Sequence, residues 1–434
     1  MCLANPFSAT SSFLNIFLDV SLSGIPFQQV AQTRNQIAAA SGLQGLGAGN
    51  PLFNAAIMLD TPNALRAFDL VSGEIHASIT GTLLEESRFI RDAVIGRLRQ
   101  SMGAVVSIFA PQFATLNYAE DSNEADTLAY AADKRARDPM TRALKPGAAP
   151  SPAGRVFTAW GQTFGNWGGT GSDGNAASLS RTTGGFFTGV DTTSRDAGAN
   201  AWRFGLAGGY QHTSLNVSDR NSTGSIGASH VAVYGGTQQD SFGVRFGAAY
   251  GSNDVSATRS IVFPGFTDAT HSSYTARTTQ VFGEVGYGLA RHGVAIEPFA
   301  GLAYVAVHTP GFAEAGGAAA LTGAGGNTDT TFSTIGLRAA LPLAWISKVD
   351  LVAKGSVAWR HAFGAVTPTA QVAFASTGTP FVVAGVPIAR NAAAIELGLD
   401  GRLASNSTIG VAYTGQLASG SHDHGIKGSF VQRF

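Results

Sequence analysis

The chain has 434 residues, 28 basic and 28 acidic, and a formal net charge of zero. This balance gives no reason to expect a nucleic-acid partner, and a single cysteine excludes a disulfide framework. Charged residues make up only 13% of the chain, about half the share usual in soluble domains, which indicates a very large core or a solvent other than water.

The first third of the chain has a helical pattern, and no apolar run in it is long enough for a transmembrane helix. Residues 31–49 predict a short helix that ends at glycines. Residues 74–100 carry the strongest helical periodicity, with apolar side chains at Ile79, Leu83, Ile90, Val94 and Leu98. Its other faces carry four arginines: Arg88, Arg91, Arg97 and Arg99. Pattern alone favours a solvated basic surface for these arginines. Residues 101–154 then have the composition of a linker.

From residue 155 onward the sequence predicts strands to its end, because apolar and polar residues alternate with a period of two. We predict about twelve strands, near 155–166, 179–191, 200–213, 226–237, 241–256, 273–290, 293–306, 328–342, 348–361, 390–402, 406–416 and 422–434. Many contain ten or more residues, whereas strands of globular proteins usually have about five or six. The connections are alternately short and long, and we expect long loops at 257–272, 307–327 and 362–389.

The alternation fits either a soluble sandwich or a membrane barrel, which differ in what the apolar face touches. Long strands, aromatic residues near strand ends and sorted loop lengths favour the barrel. The sequence therefore predicts an all-β membrane protein: an antiparallel, up-and-down transmembrane β-barrel of about twelve strands, with an N-terminal helical segment. The polar faces predict lumen-facing side chains at Arg203, Arg245, Lys354, Arg360, Glu396 and Asp400.

The closing residues also fit a barrel strand. Residues 422–434 place Ile426, Phe430 and Phe434 on one face and polar residues on the other. We expect Phe434 to close the last strand at the inner membrane interface.

Several long motifs resemble one family. The segments "WGQTFGNWGGTGSDGNAASLSRTTGGFFTGVD", "GFAEAGGAAALTG", "WRHAFGAVTPTAQVAFA" and the closing "FVQRF" are similar to the C-terminal translocator of bacterial type V autotransporters. The segment "LVSGEIHASITGTLLEESRFIRDAVIGRLRQ" resembles the stretch that precedes that barrel. The resemblance covers roughly residues 30–434.

The resemblance implies an outer-membrane barrel of twelve strands with a helix in its pore, which supports export of its own passenger. It implies that the assembly machinery reads Phe434, Phe430 and Ile426, and that lipid and the passenger segment are the other partners of a monomer. By this resemblance, either the helix at 83–100 or the linker after it fills the lumen. The four helix arginines are then expected to face an inner wall that includes Glu284, Glu297, Glu396 and Asp400. Because an apolar stripe fits a wet lumen poorly, the alternative is that the helix caps a pore mouth. The expected division is a passenger remnant at 1–73, a pore helix and linker at 74–154 and the barrel at 155–434.

No constellation predicts catalysis, a cofactor or a metal. His422 and His424 lack a third ligand, and a hairpin end explains them more simply. No nucleophile elbow or phosphate loop occurs. The alternatives are a stand-alone porin or adhesin-like barrel with a plugging N-terminal segment, or an outer-membrane hydrolase, for which no residue stands out.

Overall fold

A computed structural model describes residues 8–12, 15–19, 25–102, 157–194, 201–291, 293–343 and 350–434. Residues 103–156, most of the predicted linker, lie outside it. Twelve long strands follow in chain order: β1 Phe157–Thr170, β2 Leu179–Thr193, β3 Trp202–Val217, β4 Ser222–Gln239, β5 Phe242–Phe263, β6 Phe266–Tyr287, β7 Val294–Thr309, β8 Gly326–Pro342, β9 Leu351–Phe363, β10 Asn391–Ala404, β11 Ser407–Ala418 and β12 Ser421–Arg433. Smaller strands are Ser8–Ser12, Asn15–Asp19 and Leu289–Arg291.

The twelve strands form a closed ring in which each strand pairs antiparallel with its neighbour in sequence. The last strand pairs with the first along its whole length, from Ser421 opposite Thr170 to Arg433 opposite Thr158. Closure gives every strand a partner on both sides, so the ring has no free edge. The predicted barrel is confirmed, and a two-sheet sandwich is excluded.

All three of the predicted long loops contain regular structure. Residues 257–272 continue β5 and β6, which turn only at Pro264 and Gly265, where Gly265 has a φ of +81°. The expected loops at 307–327 and 362–389 contain a small four-stranded sheet, made of Phe312–Ala313, Leu321–Gly323, Thr369–Phe374 and Pro380–Ala384. We call this sheet the outer sheet, because it lies at the barrel mouth that carries the long connections.

The outward face of β5 shows where the membrane belt ends. Phe242, Phe246 and Tyr250 point outward and are exposed, whereas the outward positions that follow, from Ser252 to Ser260, are polar. An apolar stretch of this length matches the roughly 9–11 residues with which a tilted strand crosses a bilayer. Beyond Tyr250 the inward face becomes mainly apolar, with Val255 and Ile261 fully buried, apart from the buried Asn253 and Arg259. This inversion of polarity explains why the extra strand length did not stand out in the sequence.

Among the described residues, six helices precede the barrel: α1 Phe27–Val30, α2 Arg34–Gln44, α3 Pro51–Ala56, α4 Thr61–Val71, α5 Ile75–Glu86 and α6 Arg88–Met102. No helix among the described residues combines the length and the apolar character needed to cross a bilayer. The predicted helix at 31–49 corresponds to α2, which begins at a Thr33–Gln36 capping box and is followed by glycines.

The predicted helix at 74–100 is two helices that meet at Ser87, where the apolar spacing also skips. Gly73 precedes α5 with a φ of +69°, and a Cβ there would lie 2.4 Å from Leu321 Cδ1. Glycine is therefore required where the chain turns from α4 toward the barrel.

Helices α1–α4 pack with the outer sheet and the tips of β5 and β6 into one apolar core, which we call the cap. Phe27 packs against Phe53 and Phe68, with ring centroids 5.3 and 5.9 Å apart. Helix α5 lies beneath it, and all twelve of its residues are buried. The cap closes the mouth with the long connections.

Candidate functional site

Helix α6 lies inside the ring of strands. Its apolar residues Ile90, Val94 and Leu98 are fully buried against inward-facing side chains of the barrel. Those wall residues come from eight strands and include Trp160, Phe187, Ala207, Ala232, Ala249, Phe282, Ala303 and Val431. The expectation that an apolar stripe keeps this helix out of the lumen is therefore wrong, because this wall of the lumen is itself apolar.

Asp191 on β2 is the main anchor of α6. Its carboxylate accepts two hydrogen bonds from Arg97, at 2.6 Å from Nε and 2.9 Å from Nη2. It also accepts from Arg203 and from the Tyr234 hydroxyl, 3.1 Å away. Trp160 Nε1 donates in turn to that hydroxyl at 2.7 Å. One buried carboxylate thus joins the helix to three strands.

A second ionic layer surrounds the junction of α5 and α6. Arg181 Nη2 donates to Glu85 at 2.8 Å and to Asp423 at 2.5 Å. Arg88 donates to the same Asp423 oxygen at 3.2 Å and to Gln416 at 3.2 Å. Arg360 also donates to Gln416, at 2.9 Å. Charges from the helices and from the wall alternate here, as a buried ionic layer requires.

Glu86 has a different environment, because neutral donors hold it. Its carboxylate accepts from Thr183 at 2.7 Å, from Thr213 at 2.8 Å and from Gln211 Nε2 at 3.0 Å. Gln280 Nε2 donates to the Ser87 carbonyl oxygen at 2.8 Å, and its Oε1 accepts from Arg91 at 2.8 Å. The break between α5 and α6 is thus fixed by side chains of three strands, β2, β3 and β6.

The barrel wall also carries ion pairs of its own, on strands β5–β8 beside the apolar residues and on strands β9, β10 and β12. Arg245 donates to Glu284 at 3.0 Å and to Glu297 at 2.7 Å, and Arg338 contacts both carboxylates. Lys354 contacts Asp400 at 2.7 Å, and Lys427 contacts Glu396 at 2.7 Å.

The structure gives the predicted lumen-facing residues inward positions, but it changes the expected partners of the helix arginines. Only Arg99 approaches one of the four predicted carboxylates, with Glu284 3.7 Å away. Arg97 and Arg88 contact Asp191 and Asp423, and Arg91 contacts Gln280. Asp400 and Glu396 instead pair with lysines of neighbouring strands. The rotation of α6 about its own axis decides these contacts, and sequence spacing does not specify it.

Sequence reasoning missed Asp191, Arg181 and Asp423, which the site uses most. The sequence did carry a signal for Asp191. It lies an even number of residues from Arg181, and therefore on the same face of β2, whereas Phe186 and Val190 lie on the outward face. Asp423 likewise lies between His422 and His424, which point away from the lumen. His424 Nδ1 is 2.7 Å from the Tyr413 hydroxyl.

At the outer mouth, Glu314 of the loop between β7 and β8 connects the cap to the barrel. Arg259 donates to both of its oxygens, at 2.9 and 2.6 Å, and His76 Nε2 lies 2.8 Å from Oε1. Burial alone raises the pKa of Glu314, but Arg259 and His76 outweigh it and hold that pKa below its ordinary value. Burial lowers the pKa of His76, which is therefore neutral and donates to Glu314.

Two further sets of contacts hold the helices before the barrel to the outer sheet and to a barrel loop. Asn35 Nδ2 donates to the Ala384 carbonyl oxygen of the outer sheet at 2.7 Å, and Asn35 Oδ1 accepts from Ala384 N at 2.8 Å. Glu74 accepts from Asn35 at 3.1 Å and from Ala177 N, between β1 and β2, at 2.7 Å. The cap therefore binds specific loops of the barrel rather than only resting on its mouth.

The closing strand places Ile426, Phe430 and Phe434 on the outward side, where all three are exposed. Phe434 N–H donates to the Phe157 carbonyl oxygen at 2.9 Å, so its backbone extends the seam between β12 and β1. Within the described residues, no cluster of three His, Cys, Asp or Glu side chains could hold a metal ion.

The comparisons with known proteins agree with this geometry. The autotransporter beta-domain family model matches residues 159–414. Two curated relatives, both described as "Extracellular serine protease" from Serratia marcescens, are 30% and 28% identical to this chain over 389 residues. The alignments cover 89% of this chain and 32% of each relative, so the chain spans about a third of their length.

Among solved structures, the translocator domain of autotransporter NalP from Neisseria meningitidis matches with a TM-score of 0.50 at 16% identity. The match covers 71% of this chain and 98% of that one, which supports a shared fold. The family model covers more than half of the sequence, and it matches most of the ring of strands described above. The chain therefore belongs to the autotransporter β-domain family, as an outer-membrane translocator barrel.

Proposed function

We propose that this chain moves an N-terminal passenger segment across the outer membrane and afterwards anchors it at the cell surface. One observation supports this above all: the polypeptide passes through the ring. Helices α1–α4 lie beyond the mouth with the long connections, α6 occupies the lumen, and Met102 ends α6 near Gly236, toward the mouth with the short turns. In barrels of this type, long connections lie outside the cell and short turns in the periplasm.

The partners follow from this arrangement. Lipid contacts the exposed belt, and the barrel assembly machinery acts on a closing strand whose signal is Phe434, Phe430 and Ile426. The passenger belongs to the same chain, with its remnant at 1–73, the pore helix and linker at 74–154 and the barrel at 155–434. We propose a monomeric barrel without catalytic function of its own.

The lumen side chains then have a mechanical role. Asp191, Asp423 and Gln280 bind Arg97, Arg88 and Arg91, so they hold α6 once transport has ended. The other lumen-facing residues that we assign to this function form the wall opposite or beside the helix, and they are Arg203, Arg245, Glu284, Glu297, Lys354, Arg360, Glu396 and Asp400.

A topology experiment tests the export proposal. One epitope is inserted between Gly47 and Gly49, where added atoms meet open space, and a second one between Asp240 and Ser241, in a tight turn at the opposite mouth. A reporter peptide is fused ahead of residue 1 in the first variant. We expect the first epitope and the reporter to bind antibody on intact cells, and the second epitope to bind only after the outer membrane is permeabilised.

The second epitope is the matched control for membrane integrity, and heat-modifiable migration shows that both barrels are folded. A folded barrel whose reporter stays in the periplasm contradicts export and favours the plugged porin. Detection of the Gly47 epitope only after permeabilisation contradicts the orientation as well.

A further inference from the structure

Helix α6 leaves part of the lumen empty. It packs on the apolar wall, and two cavities of about 200 and 160 Å³ lie along its other side. The first reaches the rim of the periplasmic mouth at Asn406 and Arg433, and the second extends to Arg88 at the start of α6. Both are lined by Arg99, Arg338, Ser356 and Glu396, so they adjoin. We call the combined space the corridor.

The corridor carries an excess of positive charge. Nine Arg or Lys side chains and five Asp or Glu side chains line it, and α6 supplies four of the nine cations. Asp350 offsets one of them at the rim, because it lies 3.5 Å from Arg402. Adding the other buried charges of the lumen leaves this excess unchanged, because Arg181, Arg203, Arg245 and Arg360 are equal in number to Glu85, Glu86, Asp191 and Asp423. Two of these carboxylates, Asp191 and Asp423, also pair with Arg97 and Arg88 of the corridor. The excess of positive charge thus belongs to the lumen as a whole, and the corridor is the part of the lumen that has open space beside it.

The outer end of the corridor is closed. The ionic layer of Arg88, Asp423 and Arg360 with Gln416 lies across it. Beyond this layer Ile79 and Leu83 of α5 belong to an apolar core that includes Leu215 and Ile388, and every residue of α5 is buried. Closure of the barrel therefore rests on α5 and the cap, whereas α6 occupies only one side of the pore.

We propose that the corridor is a blind chamber, open to the periplasm, that takes up small inorganic anions. Fixed cations within a ring that faces lipid require counter-ions, and a cleft lined by charges of one sign concentrates ions of the other. Chloride and inorganic phosphate fit this chemistry. The inference does not depend on passenger export, because it rests on the lumen walls alone.

Thiol labelling of the full chain tests both the access and the charge preference. In a Cys2→Ser background, Ser356→Cys places the single thiol in the corridor. The probes are the anionic sulfonatoethyl and the cationic trimethylammonioethyl methanethiosulfonates. The cysteine thiolate attacks the reagent sulfur, forms a mixed disulfide and expels methanesulfinate. Ser273→Cys, on the outward face of β6 above the membrane belt, gives the same reaction in open water and serves as the control.

We expect the ratio of anionic to cationic labelling rates at Ser356→Cys to exceed that of the control by about tenfold at low salt. The excess should shrink in 1 M salt, which screens the charges. It should also shrink in the added Arg99→Gln variant, which removes a cation that lines both cavities while Arg245 and Arg338 still neutralise Glu284.

Equal ratios at the two positions, or a cationic preference in the corridor, would overturn the proposal. So would a corridor thiol that neither reagent modifies in a folded, heat-modifiable barrel. The closed end has its own measurement: the intact chain in a planar bilayer should show no steady chloride current, and an open channel would contradict a blind chamber.

Discussion

At the scale of single residues, this barrel holds its internal helix through a few buried carboxylates with several donors each. Asp191 receives hydrogen bonds from Arg97, Arg203 and Tyr234, and its side chain is fully buried. Removing such a carboxylate leaves two guanidinium groups close together without a counter-charge. Removing one of the arginines leaves the carboxylate still paired.

This asymmetry gives a prediction for matched variants. Asp191→Asn should lower the free energy of unfolding of the barrel by about 3–5 kcal/mol, the range observed when one partner of a buried ion pair is lost. Arg97→Gln should cost less, since Arg203 still neutralises Asp191. Urea unfolding of the barrel in lipid, with protease cleavage of α6 as a second readout, measures both. Equal losses of unfolding free energy in the two variants would show that Arg203 does not neutralise Asp191 when Arg97 is replaced.

The His76–Glu314 contact predicts a dependence on pH. The folded chain keeps His76 neutral, whereas a released His76 gains a proton near its ordinary pKa of 6.5. Cap docking should therefore weaken as the pH falls below 6.5, because protonation favours the released form. Glu314, whose pKa is lowered, stabilises the fold above its ordinary value of 4.5 and loses this effect only at lower pH.

Hydrogen exchange of α4 and α5 at pH 7.5 and 5.5 tests the histidine. The His76→Gln variant keeps a donor but cannot titrate, so its protection should change less between the two values. Burial raises the pKa values of Asp69 and Glu74. Both residues are present in the two proteins, so their contributions to the pH response cancel in the comparison. The same pH response in both chains would exclude His76 as the cause.

At the scale of elements, period-two alternation predicted the strands and which face of each is polar. It did not reveal the outer halves of β5 and β6, because there the outward face is polar, whereas on β5 the inward Ile261 and Phe263 meet the cap. Nor did it reveal the partners of the helix arginines, which depend on strand register and on the rotation of α6. The break at Ser87 was visible as a gap in the apolar spacing, yet only the packing shows that the helix ends there.

The apolar belt that faces the membrane predicts how the effect of a substitution on β9 depends on the face and on the depth of the residue. Val357 points outward near the middle of the strand and is 56% exposed, whereas Leu351 is the first residue of the strand and lies near the interface. Val357→Arg should therefore cost about 2–4 kcal/mol, and Leu351→Arg less. Lys354→Gln, on the inward face, is the mild control. Heat-modifiable barrel in outer-membrane fractions reports assembly, and equal yields for all three variants would undo the face assignment.

At the scale of the whole molecule, the barrel closes where the two ends of its sequence meet. β12 pairs with β1, and Phe434 adds one more hydrogen bond to that seam, to Phe157. Its side chain is 76% exposed and makes no core contact, so it contributes little to the packing of the folded barrel.

Phe434→Ala should therefore lower the amount of barrel assembled in the outer membrane while leaving the unfolding free energy of the assembled fraction nearly unchanged. Quantitative blotting of heat-modifiable barrel and urea titration separate the two effects. Phe186→Ala, which removes an exposed aromatic of β2, is the matched control. Unchanged assembly of the Phe434→Ala chain would show that this aromatic is not an assembly signal.

The change of polarity along β5 gives the barrel a direction. Without helices α1–α4, the inward side chains of the outer rim, such as Ile261 and Phe263, would face water, so an empty rim is a state of high free energy. If the chain exports its passenger as proposed, the emerging polypeptide meets this surface first, and covering the surface lowers the free energy. A stretch that has folded onto the rim is then held back from sliding inward, and this step consumes no nucleotide.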